Sequence, residues 1–188
     1  AAGYNGRIVG QQSVEQVMAD GDLLVFQHQH ADIFYRYGFI GPVFQPFDMV
    51  KKQIEALHRN GIHNINFDLI IGLPEQTLVT VNETLDKVLE LQPARVAVFP
   101  YAHVPWMKKH QKQLEKYEMP ETNLRYEMAK LAEIRLNSAR YEVIGIDHFA
   151  HPNDPLACAA KNGKMRRNFQ GYTDDPARTI LGFGLSSI

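Results

Sequence analysis

Ile65-Asn66-Phe67-Asp68-Leu69-Ile70-Ile71-Gly72-Leu73-Pro74-Glu75-Gln76-Thr77 is the stretch on which the fold turns. Alternation places Ile65, Phe67, Leu69 and Ile71 on one face of a strand and Asn66, Asp68 and Ile70 on the other. A face covered by helices is apolar, so the face bearing Asn66 and Asp68 must look at something polar. Gly72 permits a sharp turn, Pro74 fixes φ, and Thr77 is placed to cap the next helix. The quoted run therefore reads as strand, turn and helix start, with the turn where a ligand would meet the sheet.

Outward from this point the pattern alternates. Upstream, Phe47, Val50, Ile54 and Leu57 fall three and four apart, the stripe of an amphipathic helix that stops at Gly61 after Arg59-Asn60. A strand is expected over Ile62–Ile71. A helix then runs from Thr77 through Val81, Leu85, Val88 and Leu89 and ends before Pro93. A second strand spans Arg95–Phe99, and a charged helix Lys108–Tyr117. Beyond Pro120, Leu124, Met128, Leu131 and Ile134 mark a further helix. Tyr141–Asp147 reads as a third strand and Ile180–Leu185 as a fourth. Strands alternating with helical crossovers predict βαβ units and a parallel sheet, α/β in class. Periodicity leaves open whether the sheet is open or part of a barrel. Residues 1–44 are Gly- and Gln-rich at first, then aromatic at Phe34, Tyr35, Tyr37 and Phe39. They carry no sustained period and form an unassigned leader to residues 45–188.

Composition narrows the function. The 188 residues are 45% hydrophobic and 22% charged, the balance of a globular chain. A chain of this length buries roughly 70% of its unfolded surface, enough for a core. Lys plus Arg number 20 and Asp plus Glu 21, a net charge of −1, so nucleic-acid wrapping is not expected. No apolar run is long enough for a membrane span, and no secretory signal is visible. The single cysteine, Cys158, cannot form a disulfide, a zinc site or an iron–sulfur cluster with other thiols of this sequence. A lone thiol suits a reducing, cytoplasmic setting. Cys158 is expected to be a small buried residue among the alanines of a short helix that opens near Pro155.

Several clusters could carry chemistry. Asp68 can accept two hydrogen bonds from paired hydroxyls such as those of a ribose; equally it can bind a neighbouring backbone group or an arginine. Phe99-Pro100-Tyr101-Ala102-His103-Val104-Pro105-Trp106 suits a flat or adenine-like ligand, or simply packs a long loop. Asp147 beside His148 could orient a general acid. Asp68, His103, Asp147, His148 and His151 could instead hold a hydrolytic metal in a barrel mouth. His28 and His30 have a chelating spacing that a solvated strand edge also explains. Arg166-Arg167 could fork onto carboxylates or form a solvated patch.

Five runs in this order carry a resemblance: Asn66 to Thr77, Val98 to Trp106, Gly145 to Ala150, Arg167 to Thr173, and Leu181 to Ile188. Over about residues 45–188 the chain resembles oxygen-independent coproporphyrinogen III oxidase (dehydrogenase), a radical S-adenosylmethionine enzyme family of haem biosynthesis. The resemblance implies a partial (β/α) barrel with parallel strands and helical crossovers, of which this chain holds the C-terminal half. It implies that Asp68 contacts the ribose of S-adenosylmethionine and that Ile70, Phe99, Ala102, Gln170 and Ile188 surround the same cofactor. In that family a [4Fe–4S] cluster cleaves S-adenosylmethionine to a radical that takes hydrogen from a substrate propionate, which loses CO₂ and an electron to become a vinyl group. Two propionates of coproporphyrinogen III react, giving protoporphyrinogen IX, so the implied partner is a tetrapyrrole.

The departures are as specific. The family's Cys-x-x-x-Cys-x-x-Cys motif is absent, as are its glycine-rich motif and its Gly-Val-Gln-Asp-Phe run. Pro100, Ile71 and Arg166 stand where Asn, Tyr and His are usual. The expectation is a truncated or degenerate relative, without a cluster of its own and without metal ligands, whose open sheet edge favours self-association. A non-catalytic S-adenosylmethionine- or tetrapyrrole-binding module and a metal-dependent barrel hydrolase are the alternatives.

Overall fold

The computed structural model describes residues 47–168 and 171–179. The leader, the strand expected over Ile180–Leu185, and the candidate residues Gln170 and Ile188 lie outside the described residues. The amphipathic stripe forms α1 (Phe47–Arg59), with Val50, Ile54 and Leu57 buried. After the turn at Gly61 comes β1 (Asn66–Ile71). Thr77 caps α2 (Leu78–Leu91): its Oγ1 accepts from the Thr80 amide at 3.2 Å, while its own amide donates to the Thr80 hydroxyl at 3.0 Å. β2 (Arg95–Pro100) follows, then a 3-10 helix (Lys109–Lys116) and α3 (Thr122–Ser138).

β1 and β2 are parallel, with Asn66 opposite Arg95, Asp68 opposite Ala97 and Ile70 opposite Phe99. Phe67, Leu69, Ile71, Val96 and Val98 form the buried face, and α1, α2 and α3 cover it in one core. On α3 the buried line is Met128, Ala132 and Leu136, whereas Ile134 is 53% exposed. Ile134 follows Met128 by six residues, about 120° off that line at 3.6 residues per turn, so the expected stripe drifts off the core face.

Two expectations fail downstream. Tyr141–Asp147 does not form one parallel strand. β3 (Glu142–Ile144) takes only part of it; the chain reverses at Gly145, and β4 (His148–Ala150) begins after Asp147. Both pairings are antiparallel, β4 against β2 and β3 against β4, giving the sheet order β1-β2-β4-β3. Gly145 has φ +65, which a side chain tolerates poorly, and a Cβ there would run into the Tyr172 ring. The charged helix expected over Lys108–Tyr117 is a 3-10 helix in which Leu114 alone is a buried apolar anchor.

The chain closes with α4 (Pro155–Lys161) and a separate antiparallel ladder, β5 (Arg166–Asn168) with β6 (Gly171–Thr173). Asp154 is buried, caps α4 through the Leu156 amide at 2.7 Å, and receives the Arg95 Nε–H on its two oxygens at 2.9 and 2.8 Å. Leu156 and Ala157 of α4 pack on Ile144 and Ala150. Cys158 points the other way and is exposed, contrary to expectation, because it lies opposite the Leu156–Ala159 line of its helix. Among the described residues no helix is long and apolar enough to cross a membrane.

The Arg95–Asp154 pair anchors α4 to the sheet. Arg95→Met leaves a buried carboxylate unpaired and should cost roughly 3 kcal/mol in urea unfolding. Adding Asp154→Asn to that variant should restore part of the loss, since an amide still accepts at the cap; no recovery would count against the ion pair.

Candidate functional site

Residues paired across a sheet share a face, so the register defines the surface opposite the helices. It comprises Asn66, Asp68 and Ile70 on β1, Arg95, Ala97 and Phe99 on β2, His148 and Ala150 on β4, and Glu142 and Ile144 on β3. α4 covers the Arg95–Ala150–Ile144 end. The other end, at the C-terminal ends of the parallel strands, carries the expected Asp68, Ile70 and Phe99 together, with Ala102 just beyond β2. Strand alternation puts Asp68 and Ile70 on one face of β1, and the parallel register adds Phe99; Ala102 lies two residues past β2.

Asp68 is half-buried. Its partner is neither an arginine nor the backbone but Asn66, whose Nδ2 donates to Oδ1 at 2.8 Å. Burial pushes its carboxyl above the usual carboxylate range; the Asn66 hydrogen bond and the attraction of His148 pull the other way, and Asp147 adds repulsion. In the same row, two strands over, His148 Nδ1 lies 2.6 Å from Asp147 Oδ1. The His148 ring stands edge-to-face against Phe99 at 5.7 Å and against Tyr172 at 5.2 Å, and the Arg167 guanidinium lies over Tyr172 at 5.2 Å.

The loops above the strand ends are held by residues that sequence reasoning passed over. Gly72, at φ +80, turns the chain after β1. Buried Gln76 then accepts from the Gly72 and Leu73 amides at 2.5 and 3.1 Å and donates to the Ile70 carbonyl at 3.2 Å. Gln111 accepts from the Val104 amide at 2.6 Å and donates to the Ala102 carbonyl at 3.0 Å. Arg125 of α3 donates to the Tyr101 carbonyl at 2.8 Å and lies along Gly72, where a Cβ would sit 2.8 Å from its Nε. Leu73, Tyr101 and Leu114 make a small second core beneath this cap, with Ile70 and Met119 against it. The one signal for Gln76 was its place four residues after a turn glycine; Gln111 and Arg125 had none, since their partners are distant carbonyls and amides. Within the aromatic run, Tyr101 is buried in the cap, whereas Trp106 is 73% exposed.

The hydrolytic set is not assembled. His103 sits in the cap, with Nε2 3.6 Å from Glu115 and Nδ1 3.5 Å from the Tyr101 hydroxyl. His151 packs on Tyr141 past the end of β4, where its amide donates to the Ala94 carbonyl. Among the described residues no three His, Cys, Asp or Glu side chains gather to hold a metal ion. Arg166 is exposed and donates to the Pro176 carbonyl at 3.2 Å, and Arg167 is committed to Tyr172.

The described residues form a mixed α/β sheet with a parallel strand pair, helices on one face, and an acid beside apolar side chains at the strand ends. A solved structure, reported as coproporphyrinogen III oxidase (HemN) from Escherichia coli being a radical SAM enzyme, matches with a TM-score of 0.81 at 30% identity, over 93% of this chain and 40% of that one. The oxygen-independent coproporphyrinogen III oxidase of Cereibacter sphaeroides is 51% identical over 144 residues, 77% of this chain and 32% of the relative. That of Helicobacter pylori is 42% identical over 144 residues. No protein-family model matches the chain. The chain is therefore homologous to a segment of the oxygen-independent coproporphyrinogen III oxidases, and spans about a third of the length of these curated relatives.

The raised carboxyl of Asp68 has a stability consequence. The folded chain holds that proton more tightly than the unfolded chain, so its contribution is full below the unfolded pKa, about 3.9, and is lost as pH rises through the folded value. Asp68→Asn keeps the acceptor for Asn66 and has no such loss. In thermal melts from about pH 3.5 to 7, the wild type should fall progressively behind Asp68→Asn as pH rises; a constant difference would refute the burial of this charge.

Proposed function

We propose that residues 45–188 form the C-terminal half of a radical-enzyme barrel and that the polar face of the sheet is its cofactor wall. Residues 1–44 are a leader outside that unit. The reading rests on one observation: Asp68, Ile70 and Phe99 share one face, under a cap that pins the Ala102 loop, in a chain 51% identical to an oxygen-independent coproporphyrinogen III oxidase. Asp68 offers the acceptor for the ribose hydroxyls of S-adenosylmethionine. Ile70 and Phe99 give its base an apolar wall, and the cap around Ala102 excludes water from it. The resemblance assigns Gln170 and Ile188 to the same cofactor, and both lie outside the described residues.

When bound, S-adenosylmethionine supplies a carbon radical for hydrogen abstraction. The residues present fit the adenosyl part: an acid with a free oxygen, beside aliphatic and aromatic side chains. They do not fit the [4Fe–4S] cluster, since three thiolates cannot come from one cysteine, and that cysteine is exposed on α4, tucked against its own loop. The reaction assigned to the whole enzyme is oxidative decarboxylation of coproporphyrinogen III, in which each propionate loses a hydrogen atom, CO₂ and an electron to become a vinyl group. The part of that reaction this chain performs is binding and orientation of the cofactor, and of the tetrapyrrole beside it, in the cytoplasm. Self-association through a sheet edge is part of the same proposal.

The test is calorimetric titration of the chain with S-adenosylhomocysteine, which carries the same nucleoside. Binding should be present in the wild type and weakened about tenfold or more by Asp68→Ala, the loss of a hydrogen bond to a charged group. Equal binding by both proteins would defeat the assignment of Asp68. Anaerobic reconstitution with iron and sulfide, followed by EPR, should yield no stoichiometric [4Fe–4S] signal from this chain alone.

A further inference from the structure

α2 and α3 bury one line each against the sheet, and between them they leave an apolar groove of about 570 Å³. Its floor is Leu78 of α2 and Leu131 of α3, both of which also pack on the core below. Its walls are Val79, 66% exposed, and Ile134, the residue that drifts off the core line of α3. Arg135 ties the two helices together beside it, donating to Asn82 and Asp86. Tyr126, 71% exposed, stands one turn before Lys130 at the groove's rim. Single exposed apolar residues are ordinary, but a strip of them along a helix seam, rimmed by charge, marks a surface that another helix covers.

The charges say which helix. Glu127 and Lys130 both line the groove, three residues apart on the same side of α3. Glu127 makes no ion pair among the described residues. Lys130 reaches the exposed Glu133 at 2.8 Å, a contact that contributes little in water. An acid and a base at this spacing are complementary to their own reversed copy. A two-fold axis between them sets Glu127 opposite Lys130 of a second copy, and Lys130 opposite its Glu127. The same axis brings Tyr126 to Leu131 of the second copy, and Asn123 to its Ile134. Moving the axis onto Lys130 would set lysine against lysine, so charge fixes the register.

We propose that this groove docks a second copy of the chain, with α3 lying antiparallel on α3 about an axis between Glu127 and Lys130. The apolar strip supplies the affinity and the two charge pairs supply the orientation. The contact is isologous, so it closes at two copies. It lies on the helical side, away from the sheet edges and from the Asp68 face, and stands without the nucleoside reading.

The experiment is analytical ultracentrifugation of the full chain over a concentration series. Wild type should show a monomer–dimer equilibrium. Ile134→Glu should weaken the dimer about tenfold or more, as burial of a charge in an apolar contact requires. Glu127→Lys and Lys130→Glu should each weaken it too, because each sets like charges opposite one another. The double variant carrying both exchanges the pair and should recover most of the wild-type affinity. All three positions are exposed, so circular dichroism melts of the variants should follow wild type. A dimer untouched by Ile134→Glu would place the contact elsewhere, at a sheet edge for instance, and overturns the proposal. A double variant as weak as the single ones overturns it as well. So does a monomer at every concentration; slow hydrogen exchange along the exposed side of α3 in that monomer would show another segment of the chain covering the groove.

Discussion

The parallel register of β1 against β2 is the constraint from which the rest of the described structure follows. A parallel pair needs a helical crossover, which α2 supplies, and both strands then point their C-terminal ends the same way. Because side chains alternate with a period of two, that single register decides two things together. It stacks Phe67, Leu69 and Ile71 with Val96 and Val98 beneath three helices, and it lines Asp68 and Ile70 up with Ala97 and Phe99 on the opposite face. A slip by one residue would bury Asp68 in the helical core and expose the leucine and phenylalanine beside it.

The strand ends would be ragged without the cap. Its hold is polar: Gln76 accepts from the Gly72 and Leu73 amides, Gln111 straps the second loop, and Arg125 crosses from α3 to the Tyr101 carbonyl. Each bond removes a donor or acceptor that would otherwise be left near the core without a partner. The result is a rigid rim around Ala102, set over a floor whose acid is half-buried.

At the other end of the face the logic changes. The hairpin of β3 and β4 enters antiparallel, and α4 folds back over it, tied by Arg95 to Asp154. This end is closed, so the open part of the face is confined to the Asp68–Phe99–His148 region. The reversal at Gly145 also carries Asp147 and His148 into that region, with Tyr172 resting where any side chain on Gly145 would clash. One face of the sheet is thus covered by helices, while the other is covered only at its α4 end.

Much of this was legible in the chain itself. Alternation in Ile65 to Ile71 settled which residues of β1 face the helices, because a period of two leaves no third option. Threefold and fourfold spacing located α1 and α2, and Thr77 marked its own cap. Three matters needed the tertiary structure. The Tyr141–Asp147 run alternates well enough for one strand, but in the structure β3 ends at Ile144 and pairs with β4 beyond Asp147, with Tyr172 packed at the Gly145 reversal. Cys158 sits among alanines in sequence, but a seven-residue helix has one buried line, and contact with the sheet chose it. Arg125 reaches the Tyr101 carbonyl, and the His148 ring meets Phe99 and Tyr172, through partners far off in the chain. Local pattern determines which face of an element is apolar; which other element meets that face is set by long-range closure, and no spacing along the chain encodes it.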